Sequence, residues 1–260
     1  MSTYVEFLQS DMIELCTSGS TCTFRIHQKL LQTKCKVASG AFQHGFPEAE
    51  SKRYTFTETV DLTISQFVEW AYKGDYDEPD SSTVDKRQGK QHKHKQEAPE
   101  TETTPATSQD VTDAEGVLMY HTLLCHLRVY IFADTYLVSG LKNLAFEKLT
   151  AGLIEMGQPS TLNEQLAVVD CLKEAFTRVP APDDLLDWLA RYAAWSLDKL
   201  RQVTQFHDVL KERPALGSCM MGTLNPATES PWKAKARKLR VPAYCARDDS
   251  MYAEDEPVYE

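Results

Sequence analysis

The feature that most constrains this chain is an abrupt change of hydrophobic period at His27. From Cys22 to Ile26 the residues alternate, with Cys22, Phe24 and Ile26 on one face and Thr23 and Arg25 on the other. A period of two marks a half-buried strand. From His27 onward the spacing is helical, and Leu30 and Leu31 are the next apolar pair. The strand therefore turns into a helix within one residue, which makes a tight joint. Ahead of it the run from Ser10 to Cys16 also alternates, and the Ser/Thr/Gly loop 17–21 joins the two runs as a hairpin.

The chain then supplies helices and one more strand. Val37, Ala38, Ala41, Phe42 and Phe46 recur at helical spacing and predict a helix over 33–46. Arg53 to Phe56 alternates and reads as a third strand. Over 63–76 the residues Ile64, Phe67, Val68, Ala71 and Tyr72 trace the stripe of an amphipathic helix. Gly74 is its natural stop.

Residues 77–116 break the pattern. Val84 and Val111 are the only branched apolar residues there, and Pro79, Pro99 and Pro105 are spread through polar and charged side chains. Such a stretch cannot bury enough surface to offset the entropy of ordering it. It is expected to be a disordered insertion inside a domain, and His92 to Lys95 within it reads as a solvated charged run. Order is expected to resume over 117–149, where Leu123, Leu127 and Ile131 are spaced by four. Gly140 is expected to allow a turn, with Leu141 starting the next helix. His121 and Cys125 stand one helical turn apart, but two ligands do not make a zinc site.

Residues 159–224 read as helical. Thr161 and Glu164 fit a capping box. Pro180 and Pro182 stop one helix, and Asp183 and Asp184 open another with negative charge at its positive end. Leu185, Trp188, Leu189, Tyr192 and Trp195 form a broad apolar face there. It serves packing on neighbouring helices or a partner groove, and packing is the expected use. Residues 225–260 read as a disordered tail, with a basic cluster over 232–240 followed by an acidic end.

Three blocks resemble the BTB/POZ family. The hairpin and helix of 11–31 resemble its opening, an acidic residue followed by Phe-x-Ile-His. Phe67, Trp70, Tyr72 and Gly74 resemble its second signature. The third is the helix pair over 123–142, with Ala133, Asp134, Tyr136 and Leu141. The resemblance implies an α+β BTB/POZ fold, a small mixed sheet capped by a helical cluster, over 1–150. An all-α extension over 151–224 is similar to those that follow such domains in many fungal proteins. It also implies a non-enzymatic role in protein–protein interaction, as an adaptor or oligomerisation scaffold. In family members that recruit cullin-type ubiquitin ligase scaffolds, an apolar-x-Glu motif follows the helix that Phe46 ends here. Phe46 and Glu48 match it, and ordinary core for Phe46 with a solvated Glu48 is the plain alternative. A charged pocket near the first strand is implied at Asp11 with His27 or Lys29, against a structural hydrogen bond at His27. The exchanged N-terminal segment of long-form members has no counterpart before Asp11, so a weak dimer or a monomer is expected.

Composition narrows the rest. The 260 residues suit one or two domains. Hydrophobic residues make up 42%, enough for a core, yet the mean hydropathy is −0.42, so part of the chain is expected to be unfolded. The net charge of −10 argues against broad nucleic-acid binding. The basic 232–240 segment leaves open a nuclear regulator that touches nucleic acid. The seven cysteines show no paired spacing, which suits reduced thiols in a cytoplasmic or nuclear protein. No apolar run is long enough to span a membrane, and the N-terminus does not read as a signal peptide. No phosphate loop, nucleophile elbow or zincin motif is present, so neither an enzyme nor a cofactor or metal site is expected.

Overall fold

The computed structural model describes residues 4–42, 46–78 and 122–224. The expected insertion from residue 79 onward, His121, and the 225–260 tail with its basic cluster lie outside the described residues. Those within Met1–Gly157 and Thr161–Cys171 form one compact unit, and those within Gln158–Ser160 and Leu172–Glu260 form another. The division expected at 150 falls inside a helix, Ser139–Met156.

The first unit is mixed α+β, with a three-stranded sheet and mostly helices. In chain order it contains α1 (Tyr4–Leu8), β1 (Met12–Thr17), β2 (Thr23–His27), α2 (Gln28–Lys34) and α3 (Lys36–Gly40). Then follow α4 (Pro47–Ser51), β3 (Arg53–Phe56), α5 (Asp61–Lys73), α6 (Thr122–Thr135) and α7 (Ser139–Met156).

The strand order is β2-β1-β3. β1 and β2 are antiparallel, with Ile13 opposite Ile26 and Leu15 opposite Phe24. β1 and β3 are parallel, with Glu14 opposite Arg53 and Thr17 opposite Phe56. This register sends Ile13, Leu15 and Ile26 to the interior, where they are fully buried. Burying each such side chain contributes roughly 1.5–3 kcal/mol. The hairpin closes through Gly19 at φ 88, a left-handed conformation that side chains resist.

α5 packs against β1 and β2, and α6 packs against α5 and α7. Gly74 ends α5 at φ 80 and returns its N–H to the Trp70 carbonyl at 2.8 Å. From Leu123 to Ala133, α6 is buried at every residue but Arg128. A helix apolar on all sides belongs in the middle of a core. Phe132 on α6 reaches Phe56 on β3 at 5.2 Å and Phe67 on α5 at 5.1 Å between ring centroids.

Two local features differ from the sequence reading. The helix expected over 33–46 is interrupted at Cys35, whose backbone is extended at φ −138. Its side chain is fully buried, with Sγ 3.8 Å from the Tyr136 carbonyl oxygen. Val37 consequently sits on a short helix and is 43% exposed instead of joining a buried row. The second difference is the turn between α6 and α7. Its left-handed residue is Leu137, at φ 55, and Gly140 lies within α7. The glycine serves a close approach, because a Cβ there would meet Trp70 Cζ2 at 3.1 Å.

α8 (Leu162–Arg178) opens on the expected capping box. The Thr161 N–H donates to Glu164 Oε2 at 3.0 Å, and the Glu164 N–H donates to Thr161 Oγ1 at 3.2 Å. The second unit contains α9 (Asp184–Trp195), α10 (Leu197–Leu200), α11 (Thr204–Glu212) and α12 (Pro214–Thr223). Asp183 caps α9 by accepting the Leu185 N–H at 2.9 Å. α9 packs on α12 through a face on which Leu185, Leu189 and Tyr192 are fully buried. Trp188 is half-buried and stacks on Tyr192 at 5.7 Å.

Candidate functional site

The joint at His27 is held from α5. The His27 N–H donates to the Tyr72 hydroxyl at 3.1 Å, and Nδ1 lies 2.6 Å from the same oxygen. His27 is extended, with φ −65 and ψ 132, and its carbonyl side begins α2. One tyrosine hydroxyl thus fixes both the backbone and the ring of the residue where strand becomes helix.

Asp11 is close by through the backbone, since its carbonyl accepts the Gln28 N–H at 2.8 Å. Its carboxylate, however, goes to Lys52 Nζ at 2.7 Å. Lys52 stands left-handed between α4 and β3 and presents its ammonium there. The hydrogen bond and charge of Lys52 hold the Asp11 carboxyl below its ordinary range. Lys29 is exposed, and its N–H donates to Ser10 Oγ at 3.2 Å. The structure therefore gives Asp11 to Lys52 and His27 to Tyr72.

An aromatic row runs outward from the interior to Tyr54 on β3 and to Phe42, beyond the end of α3. Tyr54 meets Phe56 at 4.8 Å and Phe42 at 6.3 Å. Phe56 meets Tyr136 at 4.9 Å. Burial raises the Tyr54 hydroxyl, and the nearby Cys35 and Glu48 add to it. Burial likewise pushes Tyr136 up to about 12. Both hydroxyls stay protonated near neutrality.

Phe46 is the N-cap of α4 and is 54% exposed. It is not part of the core, which corrects the plain alternative left open for it. Glu48 is half-buried in the first turn of the same short helix. Leu137 follows Tyr136 and is 79% exposed. The Val138 N–H donates to the Ala133 carbonyl at 2.8 Å and the Leu137 N–H donates to that of Asp134 at 3.2 Å. This is a Schellman helix end, a position that glycine usually fills. Sequence reasoning missed Leu137 because nothing local in a leucine signals a left-handed backbone.

A separate open cavity of about 310 Å³ is lined by Thr17, Ser20, Thr59, Asp61, Thr63 and Arg128, among others. Asp61 opens α5, and its carboxylate accepts from the hydroxyls of Thr17 and, at 2.5 Å, Ser20. These contacts tie the β1–β2 turn to the positive end of α5. The carboxylate is engaged by two hydroxyls in a structural role. Among the described residues no three His, Cys, Asp or Glu side chains are grouped to hold a metal ion. None of the described helices is long and apolar enough to cross a membrane.

No protein-family model matches the chain, and no curated protein matches it.

Proposed function

We propose that the chain is a non-enzymatic protein–protein interaction module, an adaptor or oligomerisation scaffold built on a BTB/POZ-type domain. The observation that carries this reading is Leu137. It holds a left-handed backbone at φ 55 while 79% of its surface faces solvent. The conformation costs roughly 1–2 kcal/mol for a residue with a Cβ, and exposure returns almost nothing in burial. A bulky apolar side chain kept under those terms fits an external contact. The strand order β2-β1-β3, the joint at His27 and the α6–α7 pair support the family resemblance.

The second reading, a substrate adaptor of a cullin-type ubiquitin ligase, is favoured by Phe46 and Glu48. An exposed aromatic ring and a carboxylate two residues on, at the start of one short helix, suit a partner with an apolar pocket beside a hydrogen-bond donor.

The test is affinity capture on the full-length chain, read by mass spectrometry and by direct titration with the N-terminal region of a cullin-type scaffold. Leu137→Ala is expected to weaken retained partners at least about tenfold, the loss that marks one of the few residues carrying an interface's binding energy. The double variant Phe46→Ala with Glu48→Ala removes scaffold binding in the second reading. Scaffold binding that neither variant changes sinks the second reading. Partner capture unchanged in both sinks the first.

A further inference from the structure

Away from the aromatic row, titratable side chains gather where the chain leaves α5, with Tyr76 and His126 buried and Glu78 and Asp75 exposed. Tyr76 is 1% exposed and His126, on α6, is also 1% exposed. The Tyr76 hydroxyl lies 3.0 Å from His126 Nδ1, across fifty positions of sequence. On the other side of the ring, His126 Nε2 is 3.6 Å from Glu78 Oε1. Lys148 on α7 completes the arrangement. Its Nζ donates to the Tyr76 carbonyl at 2.6 Å, bonds Asp75 Oδ1 at 2.8 Å and sits 4.6 Å from the centre of the Tyr76 ring. Asp75, Tyr76 and Glu78 are therefore held to α6 and α7 through one imidazole and one ammonium.

We propose that Tyr76, Glu78 and His126 form a proton-operated clasp, which ties the segment leaving α5 to α6 near neutrality and releases it on acidification. A neutral imidazole fits this setting. Nδ1 accepts from the tyrosine hydroxyl while an Nε2 proton points toward the Glu78 carboxylate. An imidazolium carries a second donor at Nδ1, so the tyrosine hydroxyl loses its acceptor inside a closed site. The groups that face His126 are Tyr76 and Glu78 from the segment after α5 and Lys148 from α7, with Asp75 bonded to Lys148. Cys125 is its neighbour on α6. Glu78 favours the imidazolium, whereas burial and the Lys148 ammonium oppose it. Burial is the largest influence, and the imidazole is held below its ordinary value.

A histidine whose folded value is depressed stabilises the fold fully above its unfolded value of about 6.5. That contribution falls as pH drops below this value toward the folded one. One proton taken up on opening changes the opening equilibrium by at most about tenfold per pH unit.

The experiment is hydrogen exchange on the full chain at pH 7.5 and 5.5, corrected for intrinsic rates, reading residues 74–78 and 122–130. The wild-type chain is expected to open these segments several-fold more often at pH 5.5. His126→Gln keeps polar atoms in the site but cannot titrate, and its opening should be flat between the two pH values. Glu78→Gln should deepen the acid response, because the carboxylate that offsets the imidazolium is gone. A wild-type opening that does not change with pH overturns the proposal. So does a His126→Gln chain with the wild-type response. Should His126→Gln fail to fold, the His126 ring signal in the wild type must titrate in step with the opening, and independent titration overturns the proposal equally.

Discussion

Replacing Leu137 separates backbone strain from side-chain contact. The residue is left-handed at φ 55 and 79% exposed. A fully buried leucine contributes about 2 kcal/mol, so the fifth of Leu137 that is covered contributes only about 0.4 kcal/mol. Leu137→Ala loses that contact and keeps a Cβ in the left-handed region. Leu137→Gly loses the same contact and removes the Cβ, relieving roughly 1–2 kcal/mol of strain against about 0.4–1 kcal/mol of added freedom in the unfolded chain. The glycine variant is therefore expected to be more stable than the alanine variant by about 0.5–1 kcal/mol. Urea unfolding followed by far-ultraviolet circular dichroism reads the difference as a shift in midpoint at constant slope. Both variants should lose partner capture together. An alanine variant as stable as the glycine variant refutes the strain argument. A glycine variant that still captures partners normally refutes the idea that the side chain is retained for contact.

Two further outcomes test the region around the strand–helix joint. Tyr72→Phe removes the oxygen that serves both the His27 N–H and ring, and it should cost about 1–2 kcal/mol in urea unfolding. An unchanged midpoint would show that the joint holds itself. Lys52→Gln should return the Asp11 carboxyl upward toward its ordinary value in a carbon-detected NMR titration, since Lys52 is the first cause of its lowering. The sign follows from the depressed folded value. The Asp11 contribution is present above the unfolded value of about 3.9 and is lost as pH falls through the folded one. Wild type and variant should therefore differ near neutrality and converge in acid. An Asp11 titration identical in the two chains removes Lys52 as the cause.

Much of the local structure was legible because its causes are local. The four residues of β3 alternate, and the strand is Arg53–Phe56. Gly74 supplies the left-handed stop of α5. Thr161 with Glu164, and Asp183, satisfy helix N–H groups a few residues away. Side-chain destinations were less legible. Asp11 invites pairing with the basic residues that follow β2, yet its carboxylate reaches a lysine 41 positions on. Cys35 interrupts a helical pattern because its thiol fits a site beside Tyr136, which nothing near Cys35 announces.

The amino-acid order alone determined the alternating strands, the helix with its glycine stop, and the capped helices beyond residue 160. Those features depend on backbone preference and on hydrogen bonds that span a few residues. Only the tertiary structure decided that Phe46 faces solvent, that Leu137 bears the left-handed turn, and that His126 is enclosed with Tyr76 and Lys148. Each of these is set by how helices and strands far apart in sequence fill a shared core, where shape and burial override local preference.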